Sequence, residues 1–396
     1  MFTLLKNFFH TTKQLGTFKE LPEHYHRLVV YSEGSHDWPH MGSILKKFLE
    51  HNLQEYIAYF SSDKNDPGLS YMHERFKSFY IGHGSARTIF FKTLRAKLLL
   101  MTLPDLEIYH LKKSTYPVHY AYCFHSITST HTVYRERAFE FYDSIFCVGP
   151  HHVAEMRREE ELKGLKPRQL FEHGSVKLDT VLVARKPNVA TASDKQHPFI
   201  LLAPSWGTGS FAEDKSLVKT IIRNIVDQEW ICRLRLHPMT LRHHPKLVEE
   251  LQRKFSSYTA SGQFAIEENL NDNSSLENAD VMISDWSGVA TEFAFGLEKP
   301  VLFIDTPQKI NNPRWKDYGL PGVENQVRSE IGKILKPEDV TSLVPILEEL
   351  ISRKEEFKNS IATARERLVF NVGNSAAVGA KFLMQLLKDG RKDSVK

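Results

Sequence analysis

The stretch NADVMISDWSGVATEFAFGLEKPVLFID, residues 278–305, sets two short apolar runs on either side of a helical pattern. DVMISD (280–285) and PVLFID (300–305) are near-continuously apolar through their centres, as strands buried on both faces of a parallel sheet are. The segment between them is long enough for one crossover helix, so the stretch predicts a strand–helix–strand unit. Its polar residues, Ser284, Asp285, Trp286 and Ser287, fall where the first strand meets the helix. Gly288 would let an anion approach the backbone at the helix start, where free N–H groups and the helix dipole favour negative charge. Glu292, one turn further on, could accept hydrogen bonds from ribose hydroxyls. Taken alone, the simplest reading is that Asp285 or Ser287 caps the helix.

The same alternation extends outward. Strands are predicted at 27–33, 55–61, 78–84, 97–103, 118–126, 144–150 and 170–175, and then at 199–206, 230–238, 264–269, 280–285 and 300–305. Helical patterns fall between most of them, among them HMGSILKKFLEH, HTVYRERAFEFY, PHHVAEMRREEEL and EDKSLVKTIIRNIVD, and the chain reads as helical from about residue 337. The polar, aperiodic ARKPNVATASDKQHP (184–198) reads as a linker. The predicted class is therefore α/β, with two doubly wound domains and a ligand cleft between the carboxyl ends of their strands. The expected division is 1–190, 191–365, and a C-terminal helix in 366–396 able to cross back to the first domain.

The 396 residues carry 52 Lys and Arg against 48 Asp and Glu, a net charge of +4, with basic residues scattered rather than clustered. That argues against a nucleic-acid partner. Three cysteines without a CxxC pair indicate neither a disulfide framework nor a thiolate zinc site, and no acidic cluster resembles a metal site, so no cofactor is required. The N-terminal MFTLLKNFFH makes a poor signal peptide, and no apolar run approaches the ~18 residues of a membrane span. A cytoplasmic protein is expected, able to rest on the inner membrane face. MFTLLKNFFH and ARTIFFKTLRAKLLL (86–100) are the candidates for membrane contact, though a buried helix followed by a strand is the favoured reading of the latter.

The strand ends carry the chemistry. In CRLRLHP the alternation puts Arg233, Arg235 and His237 on one face, and Arg235 with His237 would suit a nucleotide diphosphate; the bland alternative is an edge strand with solvated arginines. APSWGTGS offers Ser205 and Gly207, without the Lys of a P-loop, and could equally be a tight turn. In the first domain His125 closes VHYAYCFHS and is the leading proton acceptor; His83 in GHGS is its rival, Ser126 is a secondary candidate, and His131 is placed at a helix start.

Together YCFHS, APSW, RLHP and ISDWSGVATEFAFGLEKPVLFID resemble the CDP-glycerol glycerophosphotransferase family: teichoic-acid primases and polymerases and their relatives in Gram-negative surface-polysaccharide clusters. The resemblance covers about residues 80–380, is strongest in the second half, and extends to NVGNSAA (371–377). It implies a GT-B fold, two Rossmann-like domains around a central cleft, and transfer of glycerol phosphate from CDP-glycerol to a hydroxyl of a lipid-linked or surface-polysaccharide acceptor, with release of CMP. It implies His125 as the base, Arg235 and His237 at the donor phosphates, Asp285 and Ser287 around the donor, and the helix acid at Glu292; the strand-end reading adds Ser205, Gly207 and Gly288 to the donor site. Phe124 and Ser126 stand where the family has Trp and Gly, and Glu292 where it often has Asp. These departures admit CDP-ribitol or a UDP-activated sugar as donor. A GT-B glycosyltransferase and a non-catalytic nucleotide- or glycan-binding protein are the rival readings.

Overall fold

The computed structural model describes residues 2–109, 111–184, 197–267, 269 and 272–389. The first domain carries seven strands: β1 (Leu28–Ser32), β2 (Ile57–Ser61), β3 (Phe76–Tyr80), β4 (Leu98–Met101), β5 (His119–Cys123), β6 (Ser144–Cys147) and β7 (Gln169–Glu172). The second carries six: β8 (Phe199–Leu202), β9 (Ile231–Leu234), β10 (Phe264–Ile266), β11 (Val281–Ser284), β12 (Val301–Ile304) and β13 (Gly332–Leu335). Their orders are β3-β2-β1-β4-β5-β6-β7 and β10-β9-β8-β11-β12-β13. The pairings are parallel, with Val30 opposite Leu100 and Ile283 opposite Leu202 at the two central contacts. Each sheet reverses its strand order once, between β1 and β4 and between β8 and β11. Those are the switch points at which such sheets open a crevice beyond the strands' carboxyl ends.

The local reasons follow the sequence. β1, β2, β4, β6, β11 and β12 are buried along their whole length, so their apolar runs serve both faces of a covered sheet. The helix Trp38–His51 starts with Pro39 in its first turn and buries Met41, Ile44, Leu45, Phe48 and Leu49, a stripe at helical spacing laid on the first sheet. Lys215–Val226 does the same in the second domain, capped by Asp214, whose carboxylate accepts the N–H groups of Ser216 and Leu217.

Three expectations change. β13 was not predicted: its sequence GKIL is short, and Lys333 interrupts the apolar pattern. The pattern over HTVYRERAFEFY gives only Thr130–Val133 as helix, after which the chain turns, with Arg137 at positive φ. β9 lies between β10 and β8, so the arginines of CRLRLHP are not on an edge strand. Residues 185–196 of the expected linker, and with them the boundary at 190/191, lie outside the described residues.

The domains meet along the helices Val176–Ala184 and Gly288–Leu297. A Cβ on Gly296 would sit 2.6 Å from Val181, so glycine sets how closely these helices approach. The chain then crosses back. The helix Lys354–Leu368 packs beside Gly288–Leu297. The Phe370 N–H then donates to the Val148 carbonyl (2.8 Å), and Asp179 accepts the N–H groups of Gly373 (2.6 Å) and Ser375 (2.7 Å). The last helix, Ser375–Asp389, buries Ala380, Leu383, Leu386 and Leu387 against the helix Trp38–His51. Among the described residues no helix is long and apolar enough to cross a membrane. The helix Ser85–Thr93 buries Ala86, Phe90 and Phe91, so that segment is a covered helix followed by β4.

Candidate functional site

Both switch points are pinned by a buried carboxylate. Asp285, just past β11, accepts the N–H groups of Ser205 and Trp286 (2.7 Å each) and of Phe211 (3.2 Å). It thereby ties the loop after β8 to the loop after β11, and burial pushes its carboxyl above the usual carboxylate range despite those donors. Its oxygens are occupied by backbone, so its part in any site is to shape it. Asp37, past β1, does the equivalent in the first domain: it accepts the Glu33 N–H (2.7 Å) and the Thr102 hydroxyl beyond β4 (2.7 Å).

The helix Gly288–Leu297 begins beside that floor. Ser287 precedes it in extended conformation and makes no side-chain cap, so the capping reading does not describe this serine. A Cβ on Gly288 would have one neighbour within 4 Å, Thr128 of the first domain at 3.4 Å. The helix start therefore faces, across the cleft, the loop that carries His125.

His237 ends up as a cap. Its Nδ1 accepts the Met239 N–H (3.1 Å) at the start of the helix Pro238–His243, which leaves the proton on Nε2. Burial and the nearby Lys309 lower its pKa to about 4, so at neutral pH it is an uncharged donor. Its ring stacks on the exposed Trp206 (5.6 Å, 24°). Lys309 lies 3.6 Å from the Trp206 ring centroid and donates to the Trp206 carbonyl (3.2 Å). Gly207, at φ +85°, makes the turn beside this group, where a Cβ would come within 3.2 Å of the lysine nitrogen. Arg235 points elsewhere: it pairs with Glu267 (2.5 Å) and donates to the Asp272 carbonyl (2.9 Å), beyond β10.

On the first-domain side His125 stands two residues past β5, with Nδ1 3.5 Å from the Tyr122 hydroxyl. Burial lowers its pKa, and the neighbouring Asp37 opposes the shift. The His40 ring lies 5.9 Å away; burial, Lys177 and His125 hold it well below the ordinary histidine value. The Ser126 hydroxyl bonds those of Thr128 (2.8 Å) and Tyr134 (3.1 Å), so it orders the loop. His83 follows β3, four strand spacings from β5, or about 19 Å, and does not join this group. Across the cleft, Lys177 of the helix Val176–Ala184 pairs with Glu292 at 2.6 Å.

The structure thus gathers His125, Ser287, Gly288 and Glu292 at one place, with His237, Ser205 and Gly207 on the adjoining loops of the second domain. It adds Asp37, His40, Lys177 and Lys309, which motif reasoning missed, and Trp206 of APSW, which was quoted without a role. Lys177 follows the strand end EHGS, and Lys309 follows PVLFID; both were legible as strand-end positions, but nothing local marked them.

No family model and no curated protein matches the sequence. Solved structures do match. The wall teichoic acid polymerase TagF is 14% identical, over 96% of this chain and 95% of that one, with a TM-score of 0.58. A TagF variant soaked with CDPG gives 13% identity, 98% and 95% coverage, and 0.57. The UDP-GlcNAc 2-epimerase of Neisseria meningitidis bound to UDP-GlcNAc gives 13%, 90% and 99%, and 0.58. At this identity the likeness establishes the fold: the protein is of the GT-B type, two parallel α/β domains with a cleft between them.

Proposed function

We propose that this protein is a transferase of surface-polysaccharide synthesis that moves glycerol phosphate, or a related polyol phosphate, from a CDP-activated donor to a hydroxyl of a lipid-linked or polysaccharide acceptor. The observation that carries the reading is the division of the cleft. A half-buried His125, its pKa lowered by burial, lies on one wall, and the uncapped helix start Ser287-Gly288 lies on the other, facing Thr128 of the His125 loop. A proton acceptor facing an anion site across a closable gap is what phosphoryl transfer to an alcohol needs.

In this reading the donor phosphates sit on the Ser287-Gly288 helix start. His237 donates a hydrogen bond through Nε2, and Lys309 supplies positive charge. Glu292 exchanges its Lys177 partner for ribose hydroxyls, which leaves Lys177 near the transferring phosphate. The acceptor oxygen attacks the β-phosphorus, the bond to the CMP oxygen breaks, and the acceptor proton passes to His125. Positioning and charge stabilisation do most of the work. Arg235, implied by the family resemblance, is held by Glu267 and enters only if that pair opens. The acceptor would come from the inner membrane face.

The test is radiolabelled CDP-glycerol with a crude membrane acceptor. Label should appear in the acceptor with stoichiometric CMP, and His125→Gln should lower kcat about 100-fold or more, the span general bases contribute. Label that never leaves the donor sinks the reading. A nucleotide-sugar glycosyltransferase is the second reading, supported by the likeness to UDP-GlcNAc 2-epimerases, while Glu292 suits a ribose in either class; transfer from a UDP-sugar with release of UDP would establish it. Binding without turnover, indifferent to His125→Gln, would leave a nucleotide- or glycan-binding protein.

A further inference from the structure

The loop that carries His125 runs on through Ser129 and His131 into a second-domain segment. The Ser129 N–H donates to Glu324 Oε1 (2.8 Å), and the Val323 N–H donates to the Ser129 hydroxyl (2.6 Å). The Asn311 N–H donates to the Thr132 carbonyl (2.9 Å) and its side-chain amide to the Val133 carbonyl (2.6 Å). At the centre lies His131, its side chain fully buried.

The two ring nitrogens of His131 face two acceptors. Nε2 is 3.1 Å from the Leu320 carbonyl, and Nδ1 is 3.2 Å from Glu155 Oε1. A carbonyl can only accept, so Nε2 carries a proton. In the neutral tautomer that remains, the Nδ1 lone pair would face a buried carboxylate oxygen, and both atoms would repel. Nδ1 and Oε1 have no hydrogen-bond partner of their own, and the pair is too deep for water to relieve. The other Glu155 oxygen accepts the Thr130 N–H (2.6 Å) and hydroxyl (2.7 Å), as an ionised carboxylate does. Both contacts become attractive when a second proton lies between Nδ1 and Oε1, and the two Thr130 donors on the other Glu155 oxygen favour the ionised carboxylate, which puts that proton on Nδ1.

The surroundings agree. Burial lowers the His131 pKa, but Glu155 and the Leu320 carbonyl outweigh it and the net shift is upward, while Glu155 is held down at about 2. His151 and His152, on the same helix as Glu155, are lowered by burial and do not compete for the proton. Glu324 faces the pair from the second domain, its own pKa raised by burial, and Tyr318 stacks on the imidazole at 5.2 Å.

We infer that His131 is a positioning residue: as an imidazolium held between Glu155 and the Leu320 carbonyl, it fixes the His125 loop against the second domain, and the tie loosens when His131 loses its proton. The tie stands on these contacts alone; its effect on turnover rests on the proposed transferase reading. Because the charged form makes the contacts, they are present below the folded pKa and lost as pH rises through it.

Nitrogen-15 NMR of imidazole-labelled protein should show His131 carrying both protons at pH 7 and titrating above free histidine. His131→Gln keeps an N–H for Leu320 and removes the charge. It should lower kcat about tenfold through a misplaced His125 loop, with the donor KM within about twofold. The descending alkaline limb of the wild-type kcat profile should vanish in that variant, and small-angle scattering should show it more extended than the wild type at pH 7. A neutral His131 at pH 7, or a His131→Gln variant with the wild-type profile and dimensions, overturns the inference. If the wild type releases no CMP from CDP-glycerol, the transferase reading fails and the NMR and scattering results still decide the tie.

Discussion

At the scale of the residue, His237 has two jobs on two nitrogens, and they can be separated. Nδ1 caps a helix, while Nε2 is left as a donor next to Trp206 and Lys309. His237→Ala should cost about 1 kcal/mol of stability through the lost cap, read as a lower urea midpoint. His237→Asn restores a good cap but places no donor at the Nε2 position. It should recover the stability and leave kcat/KM for the donor about tenfold low, the weight of one hydrogen bond to a charged group. Wild-type kcat/KM in the Asn variant would show that the capping role is the whole role. His125 answers to pH. Its pKa is lowered, so as the proposed base it remains neutral further into acid than an ordinary histidine, and the rate should fall only as pH drops through that lowered value.

At the scale of the element, close approaches decide what the sequence pattern leaves open. Gly149 precedes the helix Pro150–Lys163 in an extended conformation any residue could adopt. A Cβ there would nevertheless lie 1.8 Å from the Leu368 carbonyl, where the chain returns to the first domain. Gly149→Ala must push that backbone away, at about 1–3 kcal/mol or more. The cost should appear as a lower urea midpoint with little change in slope; an unchanged midpoint would mean the crossing segment shifts freely. The strand runs were readable from sequence because burial on both faces writes itself as a continuous apolar run. β13 was not, because four residues with a Lys among them carry too little period. The helix expected over HTVYRERAFEFY stops after Val133 because the residues beyond it are held as a turn, with Arg137 at positive φ, the Ala138 carbonyl accepting the Asp105 N–H (3.0 Å) and the Phe139 carbonyl accepting from Arg168 (3.1 Å), contacts that outweigh local propensity.

At the scale of the whole molecule, several histidines are buried as neutral groups. His152 is lowered to about 3 and His173 to about 4, chiefly by burial: His152 Nε2 is 2.9 Å from the Thr128 carbonyl within the first domain, and His173 packs against Gly379 of the last helix. The sign is fixed. The unfolded chain binds these protons near pH 6.5 and the folded chain only near 3 to 4, so their contribution is present above about 6.5 and is lost as pH falls toward the folded values. The thermal midpoint should therefore drop steadily between pH 7 and pH 4; a flat profile over that range would contradict the burial of neutral imidazoles. If the proposed donor is right, CDP acts in the opposite direction, stabilising the folded protein by about 2.7 kcal/mol at a hundred times its Kd, read as a raised thermal midpoint.

The amino-acid sequence by itself determined the alternation of strands and helices, the two-domain α/β class and the places where polar residues interrupt buried runs, because these follow from periods of two to four residues and from burial. Tertiary structure alone decided which strand ends share a site. Lys177 meets Glu292 across 115 residues of chain, and Ser129 meets Glu324 across 195. Asp285 and Ser287 were each read as a cap or a donor contact; Asp285 is spent on holding two loops together, and Ser287 makes no side-chain cap. Strand order and domain contact set those roles, and both arise from pairings between segments too far apart in the chain for any local pattern to record.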